Sequence, residues 1–446
     1  MKRLVDDSLI RWKNSPTRKP LLLFGARQVG KTYTLKHFGK TCFKNCVHID
    51  FSKSASASRI FDGSLDPSRI VSTIEALEHQ TITPEKTLLI FDEIQLCERA
   101  LTALKYFCED ASQYFVAAAG SLLGVKLRED GSFPVGKTDM ITLHPLSFEE
   151  YLWACGEEKL GEIIEECATS FSPCPLHEEA LSRYREYLLV GGMPDVVSRF
   201  ISMQDSSMAN AFDAARTKQA EIDQAYVADI VKHAPSNLVP RIIDVWRSTS
   251  AQLAKENSKF QYKAVRTGGR ASTYEEPLAW LAAAAVVTKC VRVSEPVAPL
   301  GSFADESSFK LYRSDTGLLA ASYDTLPTDI IPQEGKASRF RGALAENYVM
   351  QQLTAADVRP YYWGTPSKQE VDFIARSKKG DVVPIEVKSG SHVRANSLAA
   401  YREKYAPPYV VRLSAKNFGE DKFVKSLPLY AACYYAKSFM SSPTFL

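Results

Sequence analysis

Gly25, Ala26, Arg27, Gln28, Val29, Gly30, Lys31 and Thr32 follow directly on the apolar run Leu21 to Phe24. This G-x-x-x-x-G-K-T spacing lets backbone N–H groups wrap phosphate oxygens, and the N-terminus of the next helix favours the anion. Lys31 then reaches the outer phosphates, and the Thr32 hydroxyl is offered to Mg²⁺. Gly25 through Tyr33 are the candidate nucleotide-binding residues, with ATP and Mg²⁺ as expected cofactors. A chance glycine turn before a lysine is the bland alternative, and the strand in front of it argues against that. In "TLLIFDEIQ" a buried strand delivers Asp92 and Glu93 at its carboxyl end, where open α/β sheets bind ligands. Asp92 is assigned to the Mg²⁺ shell and Glu93 to the base that activates water, a pairing that suits a hydrolase better than a kinase. Ser121 ends "YFVAAAGS" and can bond the γ-phosphate or the attacking water; it can equally be a helix N-cap, and the sequence leaves both open.

A second constellation lies in "EVDFIARSKKGDVVPIEVKSG", residues 370–390. Two alternating strands flank a turn at "KKGD". A turn centred near Lys379 sets Asp372 opposite Glu386, with Lys388 two residues further along the same face, roughly 7 Å away. Glu370 shares that face. Directly opposed like charges destabilise a hairpin unless a cation bridges them. The D-x13-E-x-K arrangement is the core of restriction-type nucleases, in which two carboxylates and a backbone carbonyl hold Mg²⁺ and the lysine helps activate water. A further acid fits from the helix "FRGALAENYVMQQL", where Glu346 flanks a buried stripe of Ala345, Val349 and Leu353. The candidate metal ligands here are Glu346, Asp372 and Glu386, with Lys388 catalytic; an ordinary cross-strand salt bridge between Glu386 and Lys388 is the alternative.

The elements that must carry these residues alternate. After the first strand come a helix, "CVHIDF", the helix "RIVSTIEALEHQ", "TLLIFDE", the helix "ALTALKYFCEDASQ", "YFVAAAG" and "TDMITLHPL", the order of a parallel, doubly wound sheet. At 446 residues the chain predicts two to four domains. With 55 basic and 52 acidic side chains the net charge is +3, so contact with nucleic acid requires a local patch. Nine cysteines without a C-x-x-C pair fit reduced thiols better than disulfides or zinc. The N-terminus has no apolar core of signal-peptide length, and the longest apolar run, 278–287, is half a membrane span and reads as a buried helix. A cytoplasmic protein with no membrane contact is expected. The polar stretches from Ser52 and Ser322 read as loops.

The chain resembles a prokaryotic family of AAA-type P-loop ATPases that carry a C-terminal domain of unknown function of restriction-endonuclease-like, PD-(D/E)XK type. "FGARQVGKT", "LIFDEIQ", "AAGSLLG", "HPLSFEEYL", "YLLVGGMPDVV", "QLAKENSKFQY", "FKLYRSDTGLLA", "GALAENYV" and "EVDFI…PIEVKSG" carry the resemblance, in that order. It implies Lys31, Thr32, Asp92 and Glu93 in the roles above, with Ser121 as sensor. The implied α/β architecture is a P-loop ATPase core (1–146), a helical lid (147–238), a winged-helix-like domain (239–325), a linker (326–338) and a nuclease-like domain (339–446). The lid breaks at Gly191, Gly192 and Pro194, close to the nucleotide in the family. Where the family often has Gly-Arg before the last core strand, this chain has Gly136-Lys137; Arg128 is a substitute candidate, and such ATPases can also take an arginine from a neighbouring subunit, which leaves a homo-oligomer open. Between Gln252 and Arg292, Lys255, Lys259, Lys263, Arg266, Arg270, Lys289 and Arg292 face Glu256, Glu275 and Glu276, a net +4 that can position DNA, with "VRTGGR" as a flexible basic tip. A solvated face packed on the ATPase is the alternative. The functions left in competition are an ATP-driven nucleic-acid enzyme with a Mg²⁺-dependent nuclease tail, an ATP-switched binding or scaffold protein with an inactive tail and, as the weaker third, a stand-alone ATPase with a purely structural tail.

Overall fold

A computed structural model describes the chain except residues 54, 122–135, 256–257, 331–338, 366–368, 391–395 and 440–446. Arg128 and most of the expected linker lie outside the described residues. The chain divides into two units, one of Lys2–His144 and one of Pro145–Ala282 with Val286–Pro443.

In the first unit five parallel strands, β1 (Leu21–Phe24), β2 (Asn45–Asp50), β3 (Thr87–Asp92), β4 (Phe115–Ala119) and β5 (Asp139–Thr142), lie in the order β2-β3-β4-β1-β5. All six residues of β3 and all five of β4 are buried, as near-continuous apolar runs require when helices cover both faces of a parallel sheet. The crossover helix Pro67–Glu78 starts where its sequence says: Asp66 accepts from the Arg69 N–H, and Pro67 sits at the first helical position. The register puts Asp50 beside Asp92 and Asp92 beside Ala119, so the carboxyl ends of β2, β3 and β4 are level. The polar stretch from Ser52 differs from the expected loop in forming a short helix, Ala55–Arg59.

The second unit begins with five helices, Phe148–Ala154, Glu158–Ser170, His177–Val190, Pro194–Gln204 and Met208–His233. Ser147 and Glu150 close a reciprocal capping box at the first. Three further helices, Val239–Leu253, Tyr262–Val265 and Ala271–Ala283, lead into an eight-stranded sheet. Its strands are β6 (Val287–Val293), β7 (Ala304–Arg313), β8 (Tyr361–Gly364), β9 (Glu370–Arg376), β10 (Val382–Val387), β11 (Val410–Ser414), β12 (Gly419–Asp421) and β13 (Val424–Pro428), ordered β12-β13-β11-β10-β9-β8-β6-β7. The helix Arg339–Ala355 precedes β8; β9 lies between β8 and β10 and pairs antiparallel with both, and β11 runs parallel to β10 after the helix Asn396–Tyr405.

Three expectations change here. The boundary expected between 239–325 and 339–446 is not a break in the sheet, because the hairpin β6–β7 joins it through the parallel pairing of β6 with β8. The apolar run 278–287 is not one helix: it ends at Ala283, Ala285 takes a positive φ of 57°, and the β-branched Val287 opens β6. The basic surplus of the middle segment is also smaller than the window suggested. Lys289 pairs with Glu306 at 2.9 Å and Arg292 with Asp305 at 2.6 Å, acids that follow the counted stretch and reach it across the hairpin. The "VRTGGR" tip is a tight turn, with the Gly269 N–H bonded to the Arg266 carbonyl at 2.8 Å and a Cβ on Gly269 placed 2.3 Å from the Tyr262 oxygen.

Candidate functional sites in the two units

The loop after β1 is shaped by residues that only glycine satisfies. Gly25 has φ 138°, and a Cβ there would stand 2.1 Å from the Leu143 carbonyl oxygen. Gln28 at φ 66° and Gly30 at φ 94° complete the turn into the helix Lys31–Cys42. The buried Lys31 ammonium donates to the carbonyls of Gly25 and Ala26 at 2.9 and 2.7 Å, so the loop and its lysine form one closed unit. Thr32 is half-buried in the first turn, and Tyr33 is exposed with its ring stacked on His37.

At the adjoining strand ends Asp92 is buried, and His48, from β2, sets a ring nitrogen 3.1 Å from Asp92 Oδ2. That contact orients the carboxylate while the Glu93 N–H bonds its other oxygen at 3.2 Å. Glu93 holds a left-handed φ of 53° just past the strand, an uncommon conformation for a non-glycine residue and one that occurs at functional turns. Its Oε2 accepts from Gln95 Nε2 at 2.5 Å and lies 3.5 Å from Ser121 Oγ. Ser121 lies two residues beyond β4. Lys137, the residue at the expected arginine position, pairs with Glu109 at 2.9 Å and is half-exposed.

Arg3 was not legible as a site residue. It is buried, and its guanidinium donates to the Val29 carbonyl at 3.1 Å and the His144 carbonyl at 2.6 Å, tying the start of the chain to the phosphate loop. Nothing in "MKRLVDD" distinguishes this arginine from a surface one. The donor set at Thr32 and Asp92, a hydroxyl and a carboxylate of hard oxygens, fits Mg²⁺.

The second unit assembles the other constellation. Val382 pairs with Arg376 and Ile385 with Phe373, the register that carries Asp372 to Glu386. Gly380, at φ 97°, closes the turn with its N–H on the Ser377 carbonyl at 2.9 Å. Asp372 Oδ2 accepts the Val387 N–H at 2.7 Å, and Lys388 meets Glu386 Oε1 at 2.5 Å, leaving Glu386 Oε2 buried without a hydrogen-bond partner.

Sequence reading missed the residue at the centre. Lys310, on β7, is fully buried, with its ammonium 2.6 Å from Glu370 Oε1, 3.2 Å from Glu346 Oε2 and 3.9 Å from Asp372 Oδ1. The Tyr312 hydroxyl donates to the same Glu346 oxygen at 3.1 Å. The signal was present in "SSFKLYR", a lysine inside a run of six consecutive buried residues, but it fell in a segment assigned to a different module.

Burial, then the neighbouring Glu346 and Glu386, push the Asp372 carboxyl well above its ordinary range; burial raises Glu386 as well, against the pull of Lys388. Burial alone would lower Lys310, but Glu346, Tyr312, Glu370 and Asp372 outweigh it and hold the ammonium charged. The residues do not fit a divalent metal as they stand. Among the described residues no three His, Cys, Asp or Glu side chains are grouped to hold one, and the cation that stands among Glu346, Glu370 and Asp372 is an ammonium.

A third polar centre ties the lid break to the strand-helix turn after β7. Asp315 is fully buried, with Oδ1 accepting the Leu318 N–H at 2.9 Å and Oδ2 the Gly192 N–H at 2.6 Å and Gln351 Nε2 at 3.3 Å. A Cβ on Gly191 would stand 2.3 Å from Asp315 Oδ1 and one on Gly192 2.1 Å from the Leu146 carbonyl oxygen, which is why two glycines interrupt the helices there.

Comparison with known families places an AAA domain at residues 17–152 and two domains of unknown function at 181–329 and 341–432. The chain thus carries an AAA domain in its first third. No curated protein matches the chain. Among solved structures it is similar to the Walker-type ATPase paby2304 of Pyrococcus abyssi, at 13% identity and a TM-score of 0.46, covering 72% of this chain and 95% of that one. It is also similar to the ORC2 protein of Aeropyrum pernix in ADPNP and ADP complexes, at 12% identity and a TM-score of 0.37, covering 72% of this chain and 91% of that one. No described helix is long and apolar enough to cross a membrane.

Proposed function

We propose that the chain hydrolyses ATP with Mg²⁺ at the ends of β1, β3 and β4. The observation that carries this is the shared placement of Lys31, Asp92, Glu93 and Ser121, with the Glu93 carboxylate fixed by Gln95 and 3.5 Å from the Ser121 hydroxyl. The loop's N–H groups and Lys31 bind the phosphates, and Glu93 takes the proton of the attacking water. Ser121 positions that water or the γ-phosphate. When bound, Mg²⁺ would be held by Thr32 and Asp92 and would neutralise charge developing on the transferred group. Lys31→Ala is expected to abolish ATP turnover measured as released phosphate; unchanged turnover would sink the proposal.

For the tail, we favour the ATP-switched binding reading over cutting, because Lys310 rather than an open metal position faces the carboxylates. Lys255, Lys263, Arg266 and Arg270 are exposed in the middle segment and support contact with DNA. The nine cysteines are all free thiols, which supports a reducing, cytoplasmic compartment. Because Lys137 is committed to Glu109, an arginine for catalysis would come from Arg128 or a second copy of the chain. Incubation of the full chain with plasmid or single-stranded DNA, ATP and Mg²⁺ or Mn²⁺ is expected to give binding without cleavage. Cleavage that disappears in Glu386→Ala/Lys388→Ala would overturn that reading in favour of a nuclease.

A further inference from the structure

The carboxylates of the second unit bring their own cation, and its geometry sets what else can bind. Lys310 enters from β7, with two strands between it and β9 in the sheet order, and its side chain has no exposure at all. The ammonium therefore cannot swing into water to yield its place, and the Tyr362 ring 5.4 Å away walls its position further. It bridges Glu346 and Glu370 at hydrogen-bond distance and stands 3.9 Å from Asp372. Tyr312 pins the shared Glu346 oxygen from a second direction. A Mg²⁺ ion needs its oxygen ligands at about 2.0–2.1 Å. An ion drawing on Glu346 and Asp372 together would crowd the ammonium that already lies 3.2 and 3.9 Å from them.

We infer that Lys310 is the resident cation of the Glu346, Glu370 and Asp372 cluster, that it excludes a divalent ion from the wild-type protein, and that removing its charge uncovers a latent divalent-cation site. Lys388 is already committed to Glu386, at 2.5 Å from its Oε1. The inference deepens the reading of the tail as a binding module and says why it does not cut. It is tested by metal occupancy rather than by DNA, so the two can fail separately.

The test is a Mn²⁺ titration of the full chain without nucleotide, followed by electron paramagnetic resonance of free Mn²⁺. Wild type is compared with Asp372→Asn, Lys310→Met and Lys310→Met/Asp372→Asn. Wild type and Asp372→Asn are expected to bind the same amount of Mn²⁺. Lys310→Met is expected to take up one additional ion per chain that the double variant loses. Mn²⁺ bound by wild type and lost in Asp372→Asn overturns the exclusion, and this pair decides that point whether or not the lysine variant folds. A folded Lys310→Met, or Lys310→Gln if the methionine variant does not fold, that gains no ion overturns the latent site.

Discussion

Replacing Asp315 by Asn tests how a buried carboxylate joins the lid break to the rest of the second unit. Four N–H donors, from the backbones of Gly192, Gly317 and Leu318 and the Gln351 side chain, favour the ionised form, while complete burial opposes it. Burial wins, and the carboxyl is raised from 3.8 to about 6. The sign follows from proton uptake. A carboxyl raised on folding binds its proton more tightly in the native state, so its stabilising contribution is full below the unfolded value and fades as pH rises through about 6. The whole shift corresponds to about 3 kcal/mol, of which about 1.4 kcal/mol is gained between pH 7.5 and pH 5. Asn loses acceptor bonds at every pH but has no proton to take up. Urea unfolding followed by tryptophan fluorescence reads this unit well, since Trp153, Trp246, Trp280 and Trp363 of the chain's five tryptophans lie in it. The stability gap between wild type and Asp315→Asn should widen by about 1.4 kcal/mol from pH 7.5 to pH 5. A gap that stays constant or narrows would show that the N–H donors, not burial, set the protonation of Asp315.

Gly25→Ala places a methyl group against the Leu143 carbonyl at a φ that alanine avoids, and it should weaken nucleotide binding at least about tenfold, equivalent to about 1.4 kcal/mol, by fluorescent-nucleotide titration. Normal affinity would mean the loop relaxes around the clash. Arg3→Ala removes the tether to Val29 and His144 and should cost the first unit about 2 kcal/mol, seen as a lower melting temperature, with partial recovery in Arg3→Lys. An unchanged melt would reduce the arginine to a bystander.

Much of the ATPase unit was legible because its signals are local. The G-x-x-x-x-G-K-T spacing and an apolar run ending in Asp-Glu each fix a strand end by themselves, and the strands and helices alternate as read. The hairpin register was legible for the same reason: a turn centred at Lys379 counts outward to Asp372 and Glu386 without knowledge of anything else. What escaped depends on distant pairing. Lys310 meets Asp372 only because β6 pairs with β8 across an intervening helix, a contact no window of neighbouring residues reveals. Arg3, 26 residues from Val29, was hidden likewise, and so was the neutralisation of Lys289 and Arg292 by acids on the opposite hairpin strand. Ala285 shows a different failure, an apolar run long enough for a helix but bent by one positive φ into the start of a strand.

The central claim is that Glu93, held beside Asp92 and Ser121, activates the water that attacks ATP. Glu93→Gln keeps the shape and the contact with Ser121 but removes the base, so single-turnover hydrolysis should fall by about 10² to 10⁴ while ATP affinity stays within about twofold. Wild-type rates of hydrolysis in Glu93→Gln, with nucleotide bound as tightly as before, would contradict the account.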